Sequence, residues 1–459
     1  MSDNSTFEVP DSDQVTGRYI VTFEEGQSTA AIAELNKACG VSKKLPSADD
    51  FEESALDISE IEPSGGAVFP EIGVAVVTLD QEGAESASGL AGGGGAILGV
   101  EPERMFYATT PEVVDAETLG GATLKYLTGY RDGVDAMLER ALTNEEEQAT
   151  LDNAAVTSDD ALSTWGIRAT GVLGSPHAGH GIKIAVLDTG MDLQNVHPDF
   201  VGRTFRTRSF ISGESVQDNN GHGTHCIGTA AGRVDVSGRR YGVAHRAQIF
   251  VGKVLSNGGS GPTSAILAGM EWAISNGCQV ISMSLGNRVP TPSMAYETVG
   301  QRALDRGCLI IAAAGNHKQR GNFGAPPPGT VGQPANAPSI MAVAAVDSRL
   351  VPATFSAQSG ASNGANVDIS GPGVSVYSSV PDPFPPSIQP TGAGRPWPPR
   401  YHTISGTSMA TPHVAGIAAL YAEAFGARGA RLWQMLVSRA MRLPHPTVDV
   451  GAGLVQAPR

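Results

Sequence analysis

Cysteine is scarce in this chain of 459 residues, which has only Cys39, Cys226, Cys278 and Cys308. The four are irregularly spaced and form no C-x-x-C pair. That pattern argues against a disulfide-knit scaffold and against a structural zinc site. Four cysteines allow three pairings, and reduced thiols are the expected state. Long apolar runs are missing too: nowhere do about 18 apolar residues follow one another, the length a membrane span requires. The opening MSDNSTFEVPDSDQ is polar and acidic, without the basic start and apolar core of a secretory signal, so Sec export is not expected from the sequence as it stands. The expectation is a chain that acts in the cytoplasm or leaves by a non-Sec route, or alternatively a secreted protein whose start is incomplete. Clusters of lysine and arginine are absent, so nucleic acid is not an expected partner.

What is present begins with charge. Residues 1–160 hold 32 acidic and 8 basic residues, a balance of −24, whereas residues 161–459 hold 14 and 23, a balance of +9. Two parts of opposite sign attract, which fits an acidic N-terminal region docked on a basic C-terminal one. A solubilising acidic region without a docked partner would leave the same signature. An apolar fraction of 41% and the length together allow a sizeable core and two domains.

Residues 1–16 read as a disordered tail. A small α+β module follows over 17–108: strands at RYIVTF (18–23) and GVAVVTLD (73–80), a helix at 28–40 closed by Gly40, an acidic surface loop at 49–62 and a short strand within 97–108. Residues 109–160 read as an acidic linker with one helix near 133–142. From 161 to 459 short Val- and Ile-rich runs, IKIAVLD, AQIFVGKVL, QVISMSLG, CLIIAAAGN and SIMAVAAVD, alternate with helical patterns. Strands that are apolar throughout predict an α/β, doubly wound, mostly parallel sheet with helices on both faces. Ligands of such sheets sit beyond the C-terminal strand ends, where Asp188 and Asn316 fall. The proline-rich stretch 381–400 reads as a surface loop.

Three stretches carry chemistry. SGTSMATPHVAG (405–416) places Ser408 after a glycine turn, where a helix begins. Serine is a weak nucleophile unless a base takes its proton and an acid orients that base. A helix N-terminus adds unpaired N–H groups and partial positive charge for a developing oxyanion. NNGHGTHCIGTAAG (219–232) offers His222 between two glycines, and IAVLDTGMD (184–192) ends a strand on Asp188. His222 and His225 together could bind zinc. No third ligand has the spacing for it, and the glutamate of an H-E-x-x-H motif is missing. Asp192 and Asp199 are expected to make local turn contacts.

These three blocks, in the order Asp, His, Ser, resemble the signature blocks of the subtilases, and the text from HGTHCIG through YGVAHRAQIFVGKVLSNGGSG is most similar to the proteinase K branch. The resemblance implies a serine endopeptidase made as a zymogen. Asp188 would orient His222, His222 would take the Ser408 proton, and Asn316 of AAAGN would stabilise the oxyanion beside the Ser408 N–H. It implies that protein or peptide substrates pair as an added strand with Gly259, Ser260 and Gly261 on one side and Ser284, Leu285 and Gly286 on the other. Ala313, Ala314 and Gly315 would wall the first pocket, with Thr407 beside the nucleophile. That low wall predicts large apolar or aromatic residues before the cut. By resemblance, the carbonyls of Pro338 and Ile340 with the Asp368 carboxylate would hold structural Ca²⁺, and Cys226 would be a buried free thiol. The N-terminal module resembles the subtilase propeptide, an intramolecular inhibitor that assists folding, and a monomer is expected. A peptide-binding pseudoenzyme is the reading of another class.

Overall fold

The computed structural model describes residues 14–56, 58–108, 159–194, 197–317, 329–360, 365–384 and 399–459. Most of the expected tail, the linker with its helix near 133–142, and the centre of the proline-rich stretch lie outside these residues.

Near the N-terminus, four antiparallel strands, β1 (Val15–Phe23), β2 (Gly66–Phe69), β3 (Val74–Thr78) and β4 (Ile97–Ala108), stand in the order β4-β1-β3-β2. Helices α1 (Ser28–Cys39) and α2 (Gln81–Ser88) cover one face. Alternation along the strands decides the rest. Val21, Phe23, Ala75 and Val77 point to α1 and α2, while Ile20, Val74, Val76 and Phe69 point the other way and are equally buried. A sheet apolar on both faces needs two covers. The second cover is the C-terminal part of the chain. The strand expected within 97–108 runs its whole length, and β1 begins inside the expected tail. The acidic stretch 49–62 is not a plain surface loop. It forms short helical turns that bury Ala55, Leu56 and Ile61 in the junction, because its apolar positions face inward between the acids.

The second part is built on β5 (Lys183–Asp188), β6 (Phe205–Ser209), β7 (Gln248–Lys253), β9 (Val280–Met283), β11 (Leu309–Ala313), β12 (Met341–Val346) and β13 (Ile369–Pro372). All seven are parallel, in the order β13-β12-β11-β9-β5-β7-β6. From β5 the chain goes to the edge strand β6, returns through β7, then crosses β5 to β9 and winds on to β13, so the direction of winding changes beside β5, where α/β sheets open a crevice. Helices α3 (His222–Ala231) and α6 (Thr407–Phe425) cover one face, with Cys226, Ile227, Val414 and Ile417 against Val186, Val251 and Val343. Helices α4 (Thr263–Ser275) and α5 (Met294–Asp305) cover the other, with Leu267, Met270, Trp272 and Val299 against Leu187, Ile281 and Ile310. The N-terminal sheet lies on the outside of α4 and α5. Short strands β8 (Ser260–Pro262) and β10 (Leu285–Gly286) flank β4, and β14 (Val376–Ser379) pairs with β15 (Tyr401–Ile404). No helix among the described residues is long and apolar enough to cross a membrane.

Candidate active site

Strand β5 ends on Asp188, and its carboxylate Oδ1 takes the N–H of Thr189 at 2.7 Å and meets His222 Nδ1 at 2.8 Å. Both side chains are buried. The local sequence explains how a strand end and a helix start come this close. A Cβ at Gly223 would lie 2.4 Å from the carbonyl oxygen of Gly190, so only glycine lets the His222 turn rest on the Asp188 turn. Asp218, which sequence reading passed over, fastens the junction. One of its oxygens accepts from Thr189 Oγ1, Asn220 N and Gly221 N, and the other accepts from the N–H and hydroxyl of Thr224. The signal for it was the Asp-Asn-Asn-Gly run, a turn chemistry in which a carboxylate caps following N–H groups.

Burial alone would pull the His222 pKa down. The Asp188 carboxylate, with Cys226 behind it, outweighs burial and leaves the pKa well above the ordinary 6.5. An Nδ1–H donated to Asp188 leaves Nε2 as the basic nitrogen, which is buried and has no hydrogen-bond partner. His225 is turned away, its Nε2 on the carbonyls of Val376 and His402, and burial with His222 as neighbour pulls its pKa down to about 3. A His222–His225 metal pair is therefore not formed. Asp188, His222 and Cys226 each bring one possible ligand atom within 4.8 Å of the others, but Asp188 and His222 already share a hydrogen bond.

Ser408 is the second residue of α6, after Gly406 and Thr407. Its carbonyl lies 3.6 Å from Cys226 Sγ, which in turn is 3.8 Å from His222 Nδ1. Acid, imidazole and serine, 220 residues apart in sequence at the extremes, thus share one junction. The Ser408 hydroxyl donates to the Ser284 carbonyl at 3.1 Å. Catalytic hydrogen bonds are often long or misaligned before substrate is in place. Asn316 follows β11, and its Oδ1 accepts both the N–H and the hydroxyl of Thr407 at 2.9 Å. With Oδ1 committed to Thr407, Nδ2 is the donor end of this amide. Thr407 also accepts the Gly315 N–H at 3.2 Å. Ala313 and Ala314 are buried beside it.

The edge formed by β8 and β10 carries β4 as an antiparallel strand. Met105, Phe106 and Tyr107 face Pro262, Gly261 and Ser260, while Tyr107 and Ala108 face Gly286 and Leu285. Ala108 N–H reaches the Gly259 carbonyl at 2.9 Å. Phe106 is fully buried and meets Tyr296 edge to face at 5.5 Å between ring centres. Away from this cleft, Asp368 precedes β13, and its carboxylate takes the Ala342 N–H at 2.7 Å. Burial pushes its pKa up to about 7. Pro338 and Ile340 lie on the turn leading into β12, the strand β13 pairs with. A half-buried carboxylate with one backbone donor, at the head of a strand paired to the one that the Pro338–Ile340 turn leads into, has the donor chemistry of a hard cation site.

A parallel sheet whose winding changes direction beside β5, with an acid and an imidazole paired at its crevice and a serine opening the adjacent buried helix, defines a hydrolase architecture. Residues 179–453 match the family model described as the subtilase family, and the chain belongs to that family. It is a serine-type endopeptidase. Subtilisin DY of Bacillus licheniformis is 40% identical over 255 residues, covering 55% of this chain and 81% of that protein. Subtilisin E of Bacillus subtilis is 37% identical over 302 residues, 64% of this chain and 71% of its own. An alkaline protease of Alkalihalobacillus alcalophilus is 40% identical over 294 residues, 63% of this chain and 66% of its own.

Proposed function

We propose that the chain is the zymogen of an endopeptidase in which Ser408 attacks the scissile carbonyl, His222 accepts its proton, Asp188 holds the imidazole, and Asn316 with the Ser408 N–H receives the oxyanion. The single observation that carries this reading is the buried 2.8 Å pairing of His222 with Asp188 beside the first turn of α6. The acid fixes the tautomer and stabilises the imidazolium that forms when the serine proton moves. A residue in the first turn of a helix has backbone N–H groups aimed at the developing charge.

The N-terminal module reads as the propeptide. Its β4 lies along Gly259–Gly261 and Leu285–Gly286 as a peptide substrate would, with main-chain pairing for affinity and a pocket around Phe106 for selectivity. Apolar and aromatic preference before the cut fits the Ala313–Gly315 wall. Ala108 stops one register step short of Ser284, whose carbonyl lies 3.1 Å from Ser408 Oγ. Maturation is therefore expected within one or two residues after Ala108. Kinship with the proteinase K branch rests on Cys226 behind the imidazole, and structural Ca²⁺ at Asp368, Pro338 and Ile340 rests on the elevated carboxyl and the two turns. The metal would tie the starts of β12 and β13 together.

Treating the processed enzyme with a fluorophosphonate and mapping the adduct by mass spectrometry tests the reading. The expected adduct is on Ser408, in a chain starting just after Ala108. An adduct elsewhere, or none once the N-terminal module has left, would refute it, and intact peptide-amide cleavage by Ser408→Ala would do the same.

A further inference from the structure

We propose that Ser284 is a positioning residue for the nucleophile, its side-chain hydroxyl holding the Ser408 carbonyl where Pro412 supplies no helical donor. The inference rests on Ser408 being the nucleophile. In an α-helix the carbonyl of residue 408 takes the N–H of residue 412. Residue 412 is proline inside α6, which has no N–H and whose ring crowds that same carbonyl. The carbonyl accepts Ser284 Oγ at 2.7 Å and lies 3.6 Å from Cys226 Sγ. A thiol is a weak donor, so the hydroxyl carries the bond. All three residues are fully buried, where a lost partner is not replaced by bulk water.

Ser284 grips Ser408 twice. Its hydroxyl holds the carbonyl, and its own carbonyl receives Ser408 Oγ at 3.1 Å. It sits between β9 and β10, so the grip ties the first turn of α6 to the strand edge that carries β4. Cys226, one turn after His222 on α3, lies on the other side of the same carbonyl. The orientation of the 408–409 peptide is thus set from outside α6, by the substrate edge and by the helix bearing the base. Losing the hydroxyl lets that peptide turn, and a nucleophile displaced by a fraction of an ångström from its attack line loses rate without losing affinity.

The test compares Ser284→Ala, Ser284→Thr, Pro412→Ala and the Ser284→Ala/Pro412→Ala double variant, all expressed as the full chain and allowed to process. kcat and KM are measured on a peptide-amide and normalised to sites titrated with fluorophosphonate. Ser284→Ala is expected to lower kcat about three- to tenfold, the rate equivalent of one neutral hydrogen bond, with KM changed less than about twofold. Ser284→Thr keeps the hydroxyl and is expected to lose less kcat than Ser284→Ala. The double variant regains most of the loss, because Pro412→Ala gives the Ser408 carbonyl a helical N–H donor again. Wild-type kcat in Ser284→Ala, or a double variant whose losses merely multiply, overturns the proposal while Ser408 labelling still stands. Absence of labelling at Ser408 in the wild type refutes the nucleophile reading instead. Should Ser284→Ala fail to fold, the Ser284→Thr and Pro412→Ala rates decide, since the proposal requires both to process and to titrate at Ser408.

Discussion

Replacing Glu271 by glutamine is expected to remove a pH dependence from the docking of the N-terminal module. Glu271 lies on α4, buried beneath that module, where its two carboxylate oxygens take the N–H groups of Glu71 at 3.1 Å and Ile72 at 3.0 Å. Burial pushes its pKa up to about 8. The two N–H donors pull it back, and Glu71 and Asp49 push the same way as burial. An unfolded glutamate titrates near about 4.3. The folded, docked chain therefore holds a proton that the unfolded chain releases, and the stabilisation this gives is complete below about 4.3 and lost as pH rises through about 8. From pH 6 to pH 8 the folded state carries close to one extra proton, so stability falls by about 1.4 kcal/mol per unit, or about 2–3 kcal/mol across the window. Glutamine is neutral throughout and removes the titration, keeping one acceptor oxygen for the two N–H groups. In a Ser408→Ala chain, which stays in one piece, urea unfolding should find the stability of Glu271→Gln relative to the parent rising by about 2 kcal/mol between pH 6 and pH 8. Parallel stability curves for the two would show that Glu271 is ionised well below pH 6. The burial argument would then be wrong and the two N–H donors would dominate.

Asn316→Ala is expected to lower kcat about 10²-fold with little change in KM on a peptide-amide, since the lost donor acts only on the oxyanion; a KM effect alone would move Asn316 to ground-state binding. The raised pKa of His222 sets the acid limb of kcat/KM, because the imidazole must be neutral to accept the Ser408 proton. Activity should therefore fall as pH drops through a value above 6.5. Asp188→Asn should move that limb to lower pH while cutting kcat about 10⁴-fold. A limb unmoved by Asp188→Asn would assign it to another group.

The parts of this molecule legible in its sequence are those whose reason is local. Asp188 ends an apolar strand, His222 stands between glycines and Ser408 opens a helix, and each motif encodes its own backbone demand. The parallel sheet was legible for the same reason, since an apolar run such as Lys183–Asp188 needs cover on both faces wherever the covers come from. What stayed hidden depends on partners far off in the chain. Ser284 reads as part of the substrate edge, but nothing near it tells that its hydroxyl meets the carbonyl of Ser408, 124 residues on. Glu271 reads as one polar residue in an apolar helix, yet its donors lie 199 and 200 residues upstream. The acidic stretch 49–62 misled because its charges outnumber Ala55, Leu56 and Ile61, and nothing local tells that these three share a buried side.

The charge asymmetry needs a more specific cause than mutual attraction. Its ion pairs across the junction, Arg306 with Glu25 and Glu71 and Arg206 with Glu53, are largely exposed, and such pairs contribute little. The directed contacts are of another kind. Glu103 takes the Ser264 N–H at 2.8 Å in the first turn of α4, a helix whose N-cap is Pro262 and has no side-chain cap of its own. Glu101 takes the Ser293 hydroxyl and the Met294 N–H at the start of α5. Carboxylates at helix N-termini satisfy orphan donors and meet the positive end of the dipole. In the opposite direction, buried Arg302 of α5 donates to the carbonyls of Ile72 at 2.6 Å and Phe23 at 2.7 Å. Net charge speeds the approach of the two parts, but it does not say where they stop. These directed bonds do, and because they cap α4 and α5 from outside, the helices behind the catalytic sheet are completed by the same module whose β4 fills the cleft. Losing that module should therefore open the cleft and leave the start of α4 uncapped, while α5 keeps its Ser293 cap, which couples departure of the module to the stability of the sheet behind α4.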